Sequence, residues 1–206
     1  MVYDDLIKQF EDLSDDDKNI LLVYKSKLGV AINSLDNDNE KVLEIYNSYK
    51  KLLDNPKNIF MKMTVFKDIS FDNEISFSES LTNIKDKLLK ISTSLTISND
   101  LTVYRIVSVP SFLEVSDISL DNIISTSINI NTCLKFLIKK DNYKHYLYQI
   151  NLPKNSPLAI CPYAILYNKK EEQLILTKNS DQEEIILNKD SFTFNSYTIW
   201  HFYILI

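Results

Sequence analysis

Apolar positions in the first half of the chain recur at the spacing of amphipathic helices. Ser14 is followed by three aspartates, which is typical of a capped helix N-terminus with acidic groups at its positive end. A second helix is predicted from about Asn39 to Leu53, ending before Asn55-Pro56, and a third from about Ser80 to Ile91. The apolar stripe of the first helix consists of Ile20, Leu21, Tyr24 and Leu28.

From Leu101 onward, short runs of β-branched and aromatic residues are separated by Asn, Asp and Pro. The predicted strands are Leu101–Val107, Ile123–Ile128, Cys133–Lys139, Lys144–Ile150, Leu158–Tyr167, Gln173–Thr177, Glu183–Leu187 and Tyr197–Ile206. Helices followed by strands predict an α+β fold in which N-terminal helices pack on two antiparallel β-sheets. We expect residues 1–206 to form a single domain, with a helical part at 1–95 and a strand-rich part at 101–206.

Composition excludes several classes of function. The 206 residues include one glycine, Gly29, so nucleotide sites built from glycine-rich loops are excluded. A net charge of −5 argues against nucleic acid as a partner. Cys133 and Cys161 lie in apolar runs without metal-ligand spacing, so we expect two buried free thiols and no metal site. His145 and His201 are isolated and are expected to be packing or surface residues.

The ends of the chain carry no targeting or spanning pattern. The N-terminus lacks the charged-then-apolar sequence of a signal peptide, and no run approaches the roughly 18 apolar residues of a membrane span. The apolar run from Tyr197 to Ile206 is predicted to be a buried final strand. We therefore expect a cytosolic protein, one delivered by a dedicated machine, or one whose signal has already been removed.

Arg105 is the only arginine among 23 basic residues, and it lies on an apolar predicted strand. A guanidinium can hold two oxygens of a phosphate or carboxylate at once, which a lysine cannot do. A lone arginine here indicates an anion site, with a surface ion pair as the alternative. Two further features follow it: Ser125-Thr126-Ser127 on the next predicted strand, and Gln182-Glu183-Glu184 before the apolar run Ile185-Ile186-Leu187.

This ordered set resembles the arginine–serine–glutamate class of mono-ADP-ribosyltransferases, which includes the clostridial Rho-modifying exoenzymes and the actin-modifying binary toxins. Leu13-Ser14 through Leu35 is similar to the opening helices of that family. Leu152-Pro153-Lys154 is similar to its "Leu-Pro-Lys-Gly" strand end, with Asn155 in place of glycine, and Glu184-Ile185-Ile186-Leu187-Asn188 is similar to its catalytic strand. The resemblance covers most of the chain and implies an ADP-ribosyltransferase-like fold.

The resemblance implies an enzyme that cleaves NAD and transfers ADP-ribose to a protein side chain. Nicotinamide leaves as a neutral group, so one carboxylate suffices where ordinary glycoside hydrolysis needs two. The family assigns that carboxylate to Glu184, which would hold the ribose 2′-hydroxyl and stabilise the developing positive charge. Ser125 would orient Glu184.

The resemblance also implies which residues bind NAD. Arg105, beside Tyr104, would clamp the phosphates, and the backbone of Ile106 would hold the nicotinamide amide. Thr126 and Ser127 would fix the strand against the nicotinamide ribose. The chain departs from the family in two places, because the segment from Ile128 to Thr132 has no aromatic residue to stack on nicotinamide and the stretch from Tyr163 to Lys178 is longer than usual. Phe136 is expected on the following strand.

Gln182, two residues before Glu184, is expected to set the acceptor. Enzymes of the family that modify arginine have a second glutamate there, whereas an amide side chain suits an uncharged amide acceptor. We therefore expect an Asn or Gln acceptor. A different register, in which Asp181-Gln182-Glu183 ends on the catalytic acid Glu183, is disfavoured by the apolar run that directly follows Glu184.

The resulting expectation is a toxin or virulence effector, secreted or injected into a host cell and acting in the host cytosol as a monomer. A small GTPase is the favoured host protein, and actin is possible. Two other functions stay open at this point: a non-catalytic interaction module on the same fold, and an NAD glycohydrolase that transfers ADP-ribose to water.

Overall fold

The computed structural model of the chain describes residues 2–54, 66–112, 123–156, 158–160, 173–177 and 185–205. The chain divides into two compact units, a strand unit (Met1–Glu11 and Ser92–Ile206) and a helical unit (Asp12–Ile91). The described helices are α1 Val2–Glu11, α2 Asp15–Lys25, α3 Leu28–Ser34, α4 Asn39–Leu53, α5 Glu74–Ser94 and α6 Ile130–Leu134. The described strands are β1 Leu101–Pro110, β2 Ile123–Ser127, β3 Tyr143–Leu152, β4 Leu158–Ile160, β5 Gln173–Thr177, β6 Ile185–Phe194 and β7 Tyr197–Leu205.

The helical unit confirms the predicted cap and the predicted apolar stripe of the first helix, since Ile20, Leu21, Tyr24 and Leu28 are buried. The hydroxyl oxygen of Ser14 accepts a hydrogen bond of 3.1 Å from the backbone N–H of Asp17, which caps α2. The first predicted helix is divided in two, because α2 ends at Lys25 and α3 begins at Leu28. The predicted third helix is longer than expected, since α5 begins at Glu74.

Gly29 explains how closely α3 follows α2. A Cβ atom added at Gly29 would lie 1.9 Å from the backbone oxygen of Tyr24, a distance that no side chain tolerates. The fully buried Leu21, Leu28 and Ile32 pack the interior of the helical unit. Glycine is therefore required at this position for close approach rather than for backbone flexibility.

The seven described strands of the strand unit form one sheet with the order β4-β5-β2-β1-β3-β7-β6. The α+β class is confirmed. The expected two antiparallel sheets are replaced by one hydrogen-bonded series of strands, in which β3 and β7 are parallel and the other described pairs are antiparallel. Alternation of apolar and polar residues defines each strand but not its partner, so the parallel pair had no signal in the sequence.

The predicted strand Cys133–Lys139 is wrong, because α6 occupies its beginning. The side-chain oxygen of Asn129 accepts hydrogen bonds from the backbone N–H groups of Asn131 (2.9 Å) and Thr132 (3.4 Å), which starts a helix there. Phe136, expected on a strand, lies in the turn after α6 with 59% of its surface exposed. The buried side chains Cys133, Leu134 and Leu137 pack against Leu147 and Ile199 of the sheet.

Candidate active site

Arg105 and Ser125 lie on neighbouring strands. Strands β1 and β2 pair antiparallel, with Tyr104 opposite Ser127. Across this pair, Nη1 of Arg105 donates a hydrogen bond of 3.4 Å to the main-chain carbonyl oxygen of Ser125. The Nε atom of Arg105 is buried and has no hydrogen-bond partner among the described residues. The guanidinium is therefore anchored at one end and retains an unused donor, which suits an anionic ligand.

The two faces of the sheet at this point differ in character. Arg105 lies opposite Tyr148 of β3, and Tyr148 lies opposite Phe202 of β7, so these three side chains form one row on one face. The rings of Tyr148 and Phe202 are stacked, with centroids 5.6 Å apart and an angle of 23° between their planes. On the opposite face, Tyr104 and Ile106 pack against the cluster formed by α6 and the sheet. Arg105 therefore lies in the same row as two stacked aromatic rings.

Thr126 and Ser127 are buried, with 4% and 2% of their surfaces exposed. The hydroxyl of Ser127 donates to the backbone oxygen of Asn129 at 3.2 Å and accepts from the backbone N–H of Asn129 at 3.1 Å. These bonds fix the turn between β2 and α6. The expected contribution of Thr126 and Ser127 to an NAD site stays a prediction, whereas the hydroxyl of Ser127 directly shapes this turn.

Cys133 belongs to the cluster that packs on the face of the sheet opposite to Arg105. Burial raises the pKa of the Cys133 thiol to about 12, although a hydrogen bond with the backbone of Ile106 and the charge of Arg105 act in the opposite direction. A thiol with such a pKa stays protonated and unreactive at neutral pH. The expectation of a buried free thiol is confirmed for Cys133, while Cys161 lies outside the described residues.

Gln182, Glu183 and Glu184 also lie outside the described residues, so their expected roles stay predictions. Glu184 directly precedes Ile185, the first residue of β6, and Ile185 lies opposite Leu205 of β7. In the strand order, β6 is four strands away from the serine strand β2, which corresponds to about 19 Å across a flat sheet at roughly 4.8 Å per strand. Ser125 and the first residue of β6 are therefore not on neighbouring strands.

A cavity of about 340 Å³ lies at the end of the sheet where β6 begins. It is lined by residues of β1, β3 and β7 and by the segment between β3 and β4 that resembles the family's "Leu-Pro-Lys" strand end. Thr102 donates a side-chain hydrogen bond of 3.0 Å to Asn151 in its wall, and the carboxylate of Asp100 accepts from the backbone N–H of Lys154 at 2.8 Å. These bonds hold the cavity wall in a defined shape.

Sequence reasoning missed a polar group on β6 and β7. The carboxylate of Asp190 lies 3.3 Å from Nδ1 of His201 and accepts a hydrogen bond of 3.2 Å from the hydroxyl of Tyr203. Burial lowers the pKa of His201, and the charge of Asp190 partly opposes this shift. Burial and the charge of Asp190 raise the pKa of Tyr203. No motif links these positions in sequence; only the antiparallel register of β6 and β7 brings them together.

Two negative findings concern the described part of the chain. It contains no group of three or more His, Cys, Asp or Glu side chains arranged to hold a metal ion. None of its helices is long and apolar enough to cross a bilayer. His145 and His201 are both buried, which agrees with the expectation of packing residues.

The fold is that of ADP-ribosyltransferase toxins. The chain is similar in structure to Plx2a, an ADP-ribosyltransferase toxin from Paenibacillus larvae, with a TM-score of 0.56 and 12% identity. The comparison covers 99% of this chain and 92% of Plx2a. It is similarly close to the enzymatic component C2-I of the C2 toxin from Clostridium botulinum (TM-score 0.56, 15% identity) and to the ADP-ribosylating toxin BECa of C. perfringens, solved with NADH (TM-score 0.54, 14% identity).

The chain spans 45% of the length of both C2-I and BECa. No protein-family model and no curated protein sequence matches it. At these identities the likeness defines the fold, so what the chain does must be argued from its own residues.

Proposed function

We propose that this chain is a mono-ADP-ribosyltransferase that cleaves NAD and transfers ADP-ribose to a protein side chain. The observation that carries the proposal is the guanidinium of Arg105, which is anchored on Ser125 and keeps a buried Nε donor without a partner among the described residues. The fold supports the same function, because this arginine lies within the fold of ADP-ribosyltransferase toxins.

The proposal assigns the NAD phosphates to Arg105. A phosphate oxygen at its Nε would supply the missing hydrogen-bond partner of a buried donor, and the positive charge would balance the phosphate charge. Tyr104 and the backbone of Ile106 flank this position on β1. Thr126 and Ser127 hold the neighbouring strand. The chain's single glycine means that the phosphates would be bound by side chains and strand backbone.

The chemical step is assigned to Glu184. The bond between nicotinamide and ribose breaks with its electron pair passing to nicotinamide, which leaves neutral. Glu184 would hold the ribose 2′-hydroxyl and stabilise the positive charge that develops on the ribose, with Ser125 orienting it. The acceptor nitrogen then forms the new bond to the ribose carbon and releases a proton to solvent.

The acceptor is assigned to an Asn or Gln side chain through Gln182, which offers one carbonyl oxygen and one amide donor to an amide. We infer a host protein as the acceptor, with a small GTPase favoured over actin, and a role as a toxin or effector in the host cytosol. The support is the glutamine at this position, where a second glutamate would suit a guanidinium.

Incubation of the chain with NAD labelled on its adenylate portion and a host-cell lysate tests the proposal. We expect a labelled protein band and a modified Asn or Gln residue in the mapped peptide. Release of nicotinamide without a labelled protein would indicate a glycohydrolase, and neither product would indicate a non-catalytic module. Glu184→Gln serves as the inactive control.

A further inference from the structure

Several large apolar side chains are exposed at one end of the strand unit. Among the described residues of this unit, five large hydrophobic side chains are exposed, and four of them lie at the same end of the sheet. Their exposed fractions are 83% for Phe112, 59% for Phe136, 47% for Trp200 and 40% for Ile138. The fifth, Leu205, lies at the opposite end. A group of large apolar side chains exposed to water is typical of an interaction surface.

The register of the sheet places these side chains at the same end of the strands. Pro110, at the end of β1, pairs with Tyr143, at the start of β3, and the backbone N–H of Ser111 donates to the oxygen of Asn142 at 2.8 Å. The backbone N–H of Ile138 donates to the hydroxyl of Ser108 at 3.2 Å, which ties the α6–β3 segment to the same end of β1.

Strand β7 starts at this end as well, because His145 of β3 lies opposite Ile199, next to Trp200. We call the surface formed by Phe112, residues 135–144 and residues 195–200 the basic aromatic end.

This end is positively charged on a negatively charged chain. Residues 135–144 contain four lysines and one aspartate, a net charge of +3, whereas the whole chain has a net charge of −5. Lys135, Lys139 and Lys140 are exposed. The Nζ atom of Lys140 lies 5.7 Å from the ring centroid of Tyr143, so lysine and aromatic side chains are interleaved here.

A shallow groove of about 560 Å³ lies within the basic aromatic end. Its walls include Lys144, Tyr143 and Trp200, together with Asn195 and Ser196 of the β6–β7 turn. Asn195 and Ser196 both have positive φ angles, 50° and 69°, which shape this turn tightly. Asp141 also lines the groove, which therefore combines a cation, a carboxylate, polar groups and aromatic rings.

We propose that the basic aromatic end docks the protein onto the surface of an anionic lipid bilayer. Aromatic side chains are favoured at the level of lipid headgroups, where an apolar ring meets both lipid and water. Each nearby lysine is attracted to anionic lipid. A nucleic-acid site would require a broad basic surface, whereas the net positive charge here belongs to one segment, residues 135–144, of a chain with a net charge of −5. Docking of this kind is peripheral and uses no spanning helix.

Trp200 is the chain's single tryptophan, so its fluorescence reports on this surface alone. The full chain is mixed with vesicles of phosphatidylcholine or of phosphatidylcholine with about one third phosphatidylserine, and sedimentation and the Trp200 emission maximum are measured. We expect sedimentation and a blue shift with the anionic vesicles and neither with the neutral ones. Salt at about 0.5 M is expected to release the protein, since the attraction is screened.

Two variants test the surface itself. Lys139→Glu/Lys140→Glu is expected to weaken binding to anionic vesicles more than about tenfold, since each lysine contributes roughly fivefold. Phe112→Ser is expected to weaken binding while leaving the Trp200 reporter in place. The matched controls lie elsewhere: Lys27→Glu/Lys90→Glu makes the same change in net charge, and Ile75→Ser removes a side chain with 73% exposure. Both controls are expected to bind like the wild type.

Absence of sedimentation and of a blue shift with anionic vesicles at low salt would overturn the proposal. Equal weakening by the two charge-reversal variants would also overturn it, because net charge rather than this surface would then be responsible. Release from vesicles by RNA at low stoichiometry, with no blue shift, would assign the surface to nucleic acid instead. Circular dichroism of every variant verifies folding, and no step of the test involves NAD.

Discussion

Nη1 of Arg105 on β1 donates a hydrogen bond of 3.4 Å to the main-chain oxygen of Ser125 on β2. This bond links the first two members of the arginine–serine–glutamate set through the backbone, so it does not depend on the hydroxyl of Ser125. Because the bond is made by one end of the guanidinium, the buried Nε remains available to a ligand. The shape of the guanidinium, in addition to its charge, therefore decides what Arg105 can do.

Arg105→Lys keeps the charge but removes this two-ended geometry. We expect the dissociation constant for NAD to rise at least about tenfold, which corresponds to the loss of one charged hydrogen bond. Isothermal titration calorimetry measures the change, and thermal unfolding verifies that the variant is folded. An unchanged affinity would reduce Arg105 to a structural residue that holds β2.

Glu184→Gln removes the carboxylate assigned to the chemical step while keeping its size. We expect nicotinamide release to fall by at least about a hundredfold, the typical effect of losing one stabilising group for transition-state charge. Glu183→Gln is the matched control and should retain most of the activity. If Glu183→Gln is the inactive variant instead, the catalytic acid is one residue earlier in the chain.

Gln182→Ala is expected to suppress labelling of the acceptor protein more strongly than hydrolysis of NAD. The reason is that Gln182 would contact the acceptor, whereas water needs no such contact. Parallel assays of nicotinamide release and protein labelling measure the two effects. Equal losses in both assays would remove Gln182 as the acceptor-binding residue. Gln182→Glu should move labelling from amide towards guanidinium side chains, which mass spectrometry of the labelled peptide detects.

Gly29→Ala tests the close approach of α3 to α2. Helix propensity alone would favour alanine by about 1 kcal/mol, but the added Cβ would lie 1.9 Å from the backbone oxygen of Tyr24. We expect a net loss of about 1–3 kcal/mol in the free energy of unfolding, measured by urea denaturation. Val30→Ala, at a half-exposed position of the same helix, is the control and should change stability by less than about 1 kcal/mol. A stabilised Gly29→Ala variant would contradict the observed packing.

Buried histidines predict a loss of stability in mild acid. Burial lowers the pKa of His145 below its ordinary value of 6.5, so the unfolded chain binds the proton more readily than the folded one. The stability due to the neutral ring is fully present above about pH 6.5 and is lost as the pH falls through the lowered value. Thermal unfolding between pH 7.5 and 5.5 measures this loss.

His145→Asn should reduce the pH dependence, because asparagine cannot take up the proton yet can still pair with Ser108, whose hydroxyl lies 3.0 Å from Nδ1 of His145. His201→Asn should reduce it less, since Asp190 opposes the shift at His201. Wild-type pH dependence in both variants would show that other groups are responsible.

Local signals in the sequence predicted the elements well where one residue type decides the conformation. Ser14 caps α2 as expected because its hydroxyl satisfies a backbone N–H that the helix cannot satisfy itself. The prediction failed at Cys133–Lys139, where apolar residues at strand-like density end a short helix and continue into a turn. Only Cys133 and Leu134 of that run are helical, as the last two residues of α6, and the Asn129 cap and burial against Leu147 outweigh the local preference for a strand.

The sequence by itself determined the α+β class, the anion-binding candidate Arg105 and the order of the arginine, serine and glutamate motifs, because these depend on residue type and spacing. Only the tertiary structure decided that Arg105 is anchored on the backbone of Ser125, that β3 and β7 are parallel, and that Asp190, His201 and Tyr203 meet. Strand pairing joins residues distant in sequence through backbone hydrogen bonds that are common to all residue types. The alternation of side chains along one strand therefore does not identify its partner strand.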